Sequence, residues 1–137
     1  MIVDKSANVA ILRGEPDAER NSLALSQEPS PRISAGTYLK TALVLDANHD
    51  PVLSGRLDDL LAVAQVKVEP VTKTHAEIAR QAFRDFGKGS GPAAGLNLGD
   101  CFAYALARDS KEPLLLKGAD FIETDVKSAP DDGAHGG

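Results

Sequence analysis

Three carboxylates stand where an alternation of apolar strands and helices would gather them. Asp4 directly follows the apolar pair Ile2-Val3. Asp120 follows the apolar run Leu114-Leu115-Leu116 across a Lys117-Gly118-Ala119 turn. Asp100 is the third residue of a helix that Asn97 would cap. In parallel α/β sheets, ligands bind outside the carboxyl ends of the strands. Three carboxylates brought together there cannot all ionise without a compensating cation. Mg²⁺ or Mn²⁺ is suited to that role, because a hard ion prefers carboxylate oxygen and water. Such an ion activates water and stabilises charge on a transferring phosphoryl group. Asp125 is a fourth candidate ligand. Each acid also has a plainer role: Asp100 as a partner of the helix dipole, Asp4 as a turn residue, Asp120 as a brace for its glycine turn.

The elements that must position these residues are short. Ile2-Val3 reads as a strand, and Ser6 as the cap of a helix over 7–12. Gly14-Glu15-Pro16 breaks that helix, and Pro16 suits the first turn of the next, which ends before Pro29. Ser34 caps a helix to Ala47 whose apolar face is Ala35, Leu39, Ala42 and Leu43. A helix to Ala64 carries Leu53, Leu57, Leu60 and Leu61, and a strand follows over 66–68. Thr72 or Thr74 caps the next helix, with Thr74-His75-Ala76-Glu77 fitting a capping box and Ile78, Ala82, Phe83 and Phe86 on its apolar side. Residues 87–92 form a loop by composition, and a helix runs from Asn97 to about Arg108. Strands alternating with helices predict an α/β sandwich with a mostly parallel sheet. One domain over 1–127 and a disordered tail over 128–137 are expected.

Composition limits the function classes. The chain has 137 residues, a formal net charge of −5, one cysteine and no tryptophan. A generally basic nucleic-acid binder is excluded, whereas a local RNA site is not. One cysteine excludes a disulfide framework and a thiolate zinc site. No run approaches the ~20 apolar residues of a membrane span, and charge appears by the fourth residue. A soluble protein of the reducing cytoplasm is expected.

The run Asn97-Leu98-Gly99-Asp100-Cys101-Phe102-Ala103-Tyr104-Ala105-Leu106-Ala107 is the most specific stretch of the chain. With Met1-Ile2-Val3-Asp4, with Gly14-Glu15-Pro16-Asp17-Ala18-Glu19-Arg20, with Arg84-Asp85-Phe86-Gly87-Lys88-Gly89 and with Leu116-Lys117-Gly118-Ala119-Asp120-Phe121, it resembles the VapC family of PIN-domain toxins. The resemblance spans about residues 1–126. It implies a PIN-like α/β/α sandwich and the toxin of a type II toxin–antitoxin pair. The implied activity is a Mg²⁺- or Mn²⁺-dependent endoribonuclease that cuts RNA, including transfer RNA. The implied partners are a VapB-type antitoxin and a second copy of the chain. By position, Asp4, Asp100 and Asp120 match the family's metal-binding catalytic acids, and Asp125 a further acidic position.

Two residues depart from the family pattern. Lys5 stands where Thr or Ser usually follows the first Asp. Lys40, in Ser34-Ala35-Gly36-Thr37-Tyr38-Leu39-Lys40, stands where the family has Glu. The helical neighbours of Lys40 are Gly36, Thr37, Leu43 and Val44, none able to pair with an ammonium. Lys40 is therefore expected to point into the acidic cluster, the alternative being a snorkelling side chain. At ~4 Å and an effective dielectric near 20, one charge pair is worth about 4 kcal/mol. A cation in the cluster would oppose divalent binding. The second functional expectation is accordingly a catalytically impaired toxin that retains antitoxin binding.

Other signals are weaker. Gly87-Lys88-Gly89-Ser90-Gly91 lacks the phosphate-loop spacing. Arg84 and Lys88, with Arg80, form a basic edge suited to RNA phosphates. His49, His75 and His135 show no ligand spacing, and His75 reads as a surface residue. Cys101 reads as a small buried hydrophobe, and Phe102 as core or interface.

Overall fold

The computed structural model describes residues 1–47, 49, 51–86, 97–116 and 128–129. The strands are β1 (Ile2–Val3), β2 (Arg32–Ser34), β3 (Lys67–Glu69), β4 (Leu114–Leu115) and β5 (Ser128–Ala129). The helices are α1 (Lys5–Arg13), α2 (Ala18–Ser26), α3 (Ala35–Ala47), α4 (Pro51–Val63), α5 (Lys73–Phe86) and α6 (Leu98–Ser110). All strand pairs are parallel, in the order β3-β2-β1-β4-β5. The pairing of Ser128 and Ala129 with Leu114 and Leu115 carries the sheet two residues past 127.

The order has a consequence for function. From β1 the chain winds outward through β2 and β3, then returns to the other side of β1 as β4. The winding direction therefore reverses beside β1. Such a reversal opens a crevice at the carboxyl ends of the strands, where open α/β sheets bind ligands. Asp4, the residue after β1, stands at that end, and its amide donates to the Leu115 carbonyl at 2.9 Å.

Strand alternation divides the core into two layers. Ile2, Leu114 and Leu116 pack with Ala82 of α5 and with Cys101, Ala103, Tyr104, Leu106 and Ala107 of α6. Val3, Ile33 and Leu115 pack with Ala7, Leu25, Leu45, Leu57 and Leu61 from α1 to α4. The sheet is thus covered on both faces, as an all-parallel sheet requires.

Local chemistry explains the helix ends. Asn97 caps α6 by accepting from the Asp100 amide at 3.0 Å, and Asp100 Oδ2 accepts from the Asn97 amide at 3.0 Å. This reciprocal box satisfies two orphan donors and fixes both side chains. Asp4, rather than Ser6, caps α1. Thr72, rather than Thr74, caps α5 by accepting from the His75 amide at 3.0 Å. His75 is buried, not on the surface: its Nε2 lies 2.9 Å from Asp109 Oδ2, tying α5 to α6.

α3 turns a different face inward than its leucines suggest. Thr37, Thr41 and Leu45 are buried, while Leu39 and Leu43 are 57% and 54% exposed. The Thr41 hydroxyl donates to the Thr37 carbonyl at 2.8 Å, which makes its burial tolerable. The first turn of α3 meets α6 at Gly36. A Cβ there would stand 2.4 Å from Cγ of Phe102.

Gly36→Ala tests this contact. Alanine is the better helix former by about 1 kcal/mol. The clash with the base of the Phe102 ring opposes that gain, and overpacking costs about 1–3 kcal/mol. Urea unfolding of Gly36→Ala should show a net loss of stability; a gain would mean that Phe102 does not pack there.

Candidate functional site

Two of the predicted acids come together at the carboxyl end of β1. Asp4 and Asp100 are 2% and 7% exposed, and the charge of Asp100 helps to raise the Asp4 carboxyl. Asp120 and Asp125 lie outside the described residues, as does Lys88. Among the described residues, no group of three His, Cys, Asp or Glu side chains is placed to hold a metal.

Asp4 is held asymmetrically. The Ser6 amide and hydroxyl donate to its Oδ2 at 3.0 and 2.6 Å. Its Oδ1 is buried and, among the described residues, accepts no hydrogen bond. Burial, reinforced by the charge of Asp100, pushes the Asp4 carboxyl up to about 6, against the pull of the Ser6 bonds and of Lys5. A buried carboxylate oxygen without a donor is costly to ionise. It is also a lone pair presented to whatever cation arrives. Asp100, fixed by its box with Asn97, supplies a second carboxylate of the same hard-oxygen type. The two residues therefore fit a divalent cation in donor chemistry and charge.

Lys40 does not enter this pair. It is exposed, and its aliphatic stem runs along the first turn of α6. A Cβ on Gly99 would be 3.0 Å from Lys40 Cγ and 3.6 Å from Cδ. The inward orientation expected from its neighbours on α3 is thus replaced by snorkelling across α6. Gly99 permits this because it offers no Cβ to block the stem. No ion pair engages Lys40 among the described residues, so a positive charge is tethered one residue from Asp100 without being paired to it.

Cys101 adds no nucleophile. Burial and the neighbouring Asp100 charge push its thiol up to about 11, so it stays protonated near neutrality. Ser6 and Gly99 are the site residues that sequence reasoning missed. Ser6, two residues after Asp4, carried a signal, but it was spent on a helix cap. Gly99 carried none, because its importance lies in a side chain from another helix.

The PIN domain family profile matches residues 1–127. The ribonuclease VapC28 of Mycobacterium tuberculosis is 53% identical over 131 residues, covering 96% of this chain and 98% of that protein. The VapC ribonuclease Mb0625 of Mycobacterium bovis matches to the same extent. The chain belongs to the VapC family of PIN-domain ribonucleases. Solved structures agree on the fold of this VapC-family domain. VapC20 of Mycobacterium tuberculosis, a sarcin–ricin loop cleaving toxin, superposes with a TM-score of 0.67 at 18% identity, over 92% of this chain and 98% of that one. A toxin–antitoxin complex from Klebsiella pneumoniae gives a TM-score of 0.66 at 17% identity, over 90% and 92%.

The raised Asp4 carboxyl has a signed consequence for stability. Below its ordinary value of 3.8 the acid is protonated both folded and unfolded, and no penalty arises. Between 3.8 and about 6 the unfolded state gives up this proton while the folded state keeps it, so stability falls as pH rises and the loss is complete above about 6. The metal-free protein then loses roughly 3 kcal/mol. Asp4→Asn keeps a side chain able to cap α1 and removes the charge. Its thermal midpoint should exceed the parent's at pH 8, and that advantage should vanish at pH 4. An advantage equal at both pH values would contradict the assignment.

Proposed function

We propose that this chain is the toxin of a type II toxin–antitoxin pair, a Mg²⁺- or Mn²⁺-dependent endoribonuclease acting on RNA in the cytoplasm. The observation that carries the reading is the Asp4 carboxylate, buried beside Asp100 with one oxygen lacking any donor. Asp4, Asp100 and Asp120 would hold the ion, with Asp125 as a further ligand. When bound, the ion supplies charge neutralisation and Lewis acidity toward a phosphodiester. The protein's own residues prepare for it. Ser6 fixes Asp4 Oδ2 and donates nothing to the buried Oδ1. The Asn97 box fixes Asp100. Arg84 and Lys88 would steer RNA phosphates toward the acids, a needed device in a chain whose net charge is −5.

The relatives' names support an RNA substrate. Transfer RNA, which only the family resemblance implies, is the class to assay first. The toxin–antitoxin neighbour supports an antitoxin as partner, and the family resemblance makes a VapB-type antitoxin the one to test. Leu39 and Leu43, exposed on α3, supply apolar surface for a second copy. No helix among the described residues is long and apolar enough to cross a membrane.

One observation favours a second reading, a catalytically impaired toxin that still engages its antitoxin. The family's acidic position is occupied by Lys40, whose stem lies against Gly99, next to Asp100. Its ammonium lowers the local demand for a divalent ion, and one anionic ligand is gone.

Calorimetric titration with Mn²⁺, run beside an RNA cleavage assay, separates the two. Manganese binding and cleavage by the unaltered chain, both abolished in Asp100→Asn, establish the first reading. Neither event in the unaltered chain, with both appearing in Lys40→Glu, establishes the second. Neither event in either protein would overturn the metal-nuclease assignment.

A further inference from the structure

A groove of about 540 Å³ lies between α5 and the first turns of α6. Ala79, Phe83, Leu98, Cys101 and Phe102 form its apolar lining, and Arg80 and Arg84 stand on its rim. Phe83 and Leu98 are 46% and 70% exposed. Phe102, expected to be core or interface, is half-buried with its ring over Gly36 and one part in the groove. The acidic neighbours of the two arginines on α5 are engaged elsewhere. Glu77 pairs with Lys73 at 3.5 Å, and Asp85 accepts from Gln81 at 3.0 Å. Among the described residues no ion pair neutralises Arg80 or Arg84.

The groove is lined by the same first turns of α6 that carry Asp100. Cys101 and Phe102 directly follow Asp100 on α6, and Lys40 crosses α6 at Gly99. An aromatic, apolar lining with unpaired cations on its rim is the arrangement that binds single-stranded nucleic acid. Bases stack on the rings while phosphates meet the guanidiniums. An isologous second copy centred on the groove would set Arg80 and Arg84 against their own duplicates, so charge favours an anionic occupant.

We propose that this groove is a nucleobase subsite. An unpaired nucleotide of the RNA strand that reaches Asp4 and Asp100 stacks its base on Phe83 and Phe102, and the flanking phosphates lie on Arg80 and Arg84. The proposal rests on the ribonuclease reading above and adds a requirement to it: the substrate must present an unpaired base beside the cleavage point. Phe83 and Phe102 are then specificity-determining residues rather than catalytic ones.

The absence of tryptophan provides the test. Phe83→Trp places a single indole in the groove, at a position open enough to accept it. An eight-nucleotide single-stranded RNA is titrated in EDTA, so that cleavage does not intervene. Indole emission and the anisotropy of the labelled RNA are both followed. A second oligonucleotide has the same phosphates but no bases. The expected result is saturable quenching by the RNA, with the abasic strand binding at least about fivefold more weakly and quenching little. Arg80→Ala and Arg84→Ala should each lower the salt dependence of binding by about one unit of slope. Equal affinity for both strands would overturn the subsite and leave only phosphate contact. Indole emission that changes with protein concentration alone would give the groove to a second copy. Quenching by an antitoxin peptide, with RNA bound but no quenching by it, would give it to that partner. RNA binding seen by anisotropy without any change at the indole rejects the subsite alone. No binding of either strand in EDTA, with neither binding nor cleavage when Mg²⁺ is restored, rejects the ribonuclease reading with it.

Discussion

The Asp4 carboxylate is buried at the end of the central strand, next to a second buried carboxylate, and most of the site follows from that constraint. The opposite end of the sheet shows the contrast. There Glu112 accepts from the Met1 ammonium and from Arg32, and Glu28 pairs with the Met1 ammonium at 3.3 Å. Acids at the amino ends of the strands have cations in place. At the carboxyl end Asp4 has two donors from Ser6 on one oxygen and, among the described residues, none on the other. Burial raises the energy of its charged form, and Asp100 raises it further. A fold that keeps such a group holds an electrostatic deficit that a divalent ion offsets.

The same constraint gives meaning to the lysines. Lys5 lowers the cost of ionising Asp4 from the adjacent position. Lys40 approaches from α3 but stays on the surface, since its stem is supported by α6 at Gly99. Its charge acts through distance rather than contact, and such interactions are weakened by solvent and salt. Under the proposed metal reading it would lower divalent affinity without filling the site. Beyond Lys40 the positive rim continues on α5, over an apolar groove rather than over acids. Among the described residues, this acidic chain thus places cations without an ion pair beside the site, where a polyanion would lie.

Much of this was legible locally. The Asn97–Asp100 box is four residues long and forms as its spacing requires. The alternation Ile2, Val3 and Leu114, Leu115 fixes a parallel sheet covered on both faces. The parts that were not legible depend on contacts between distant segments. α3 is apolar on nearly every side, so its periodicity cannot choose a buried face. Packing chose Thr37, Thr41 and Leu45 and left Leu39 and Leu43 outside. The neighbours of Lys40 on its own helix said nothing about Gly99, which gives the stem its route. His75 found Asp109 on the next helix, a partner 34 residues away. In each case the deciding atom belongs to another element.

The central claim is that Asp4 is an acid kept in deficit until a cation arrives. Side-chain carboxyl ¹³C titration of the protein, with and without Mg²⁺, measures this at the atom concerned. The account predicts that Asp4 titrates near 6 without metal and falls to or below the ordinary carboxylate range when Mg²⁺ is added. A metal-free titration near 3.8 that Mg²⁺ leaves unchanged would contradict it.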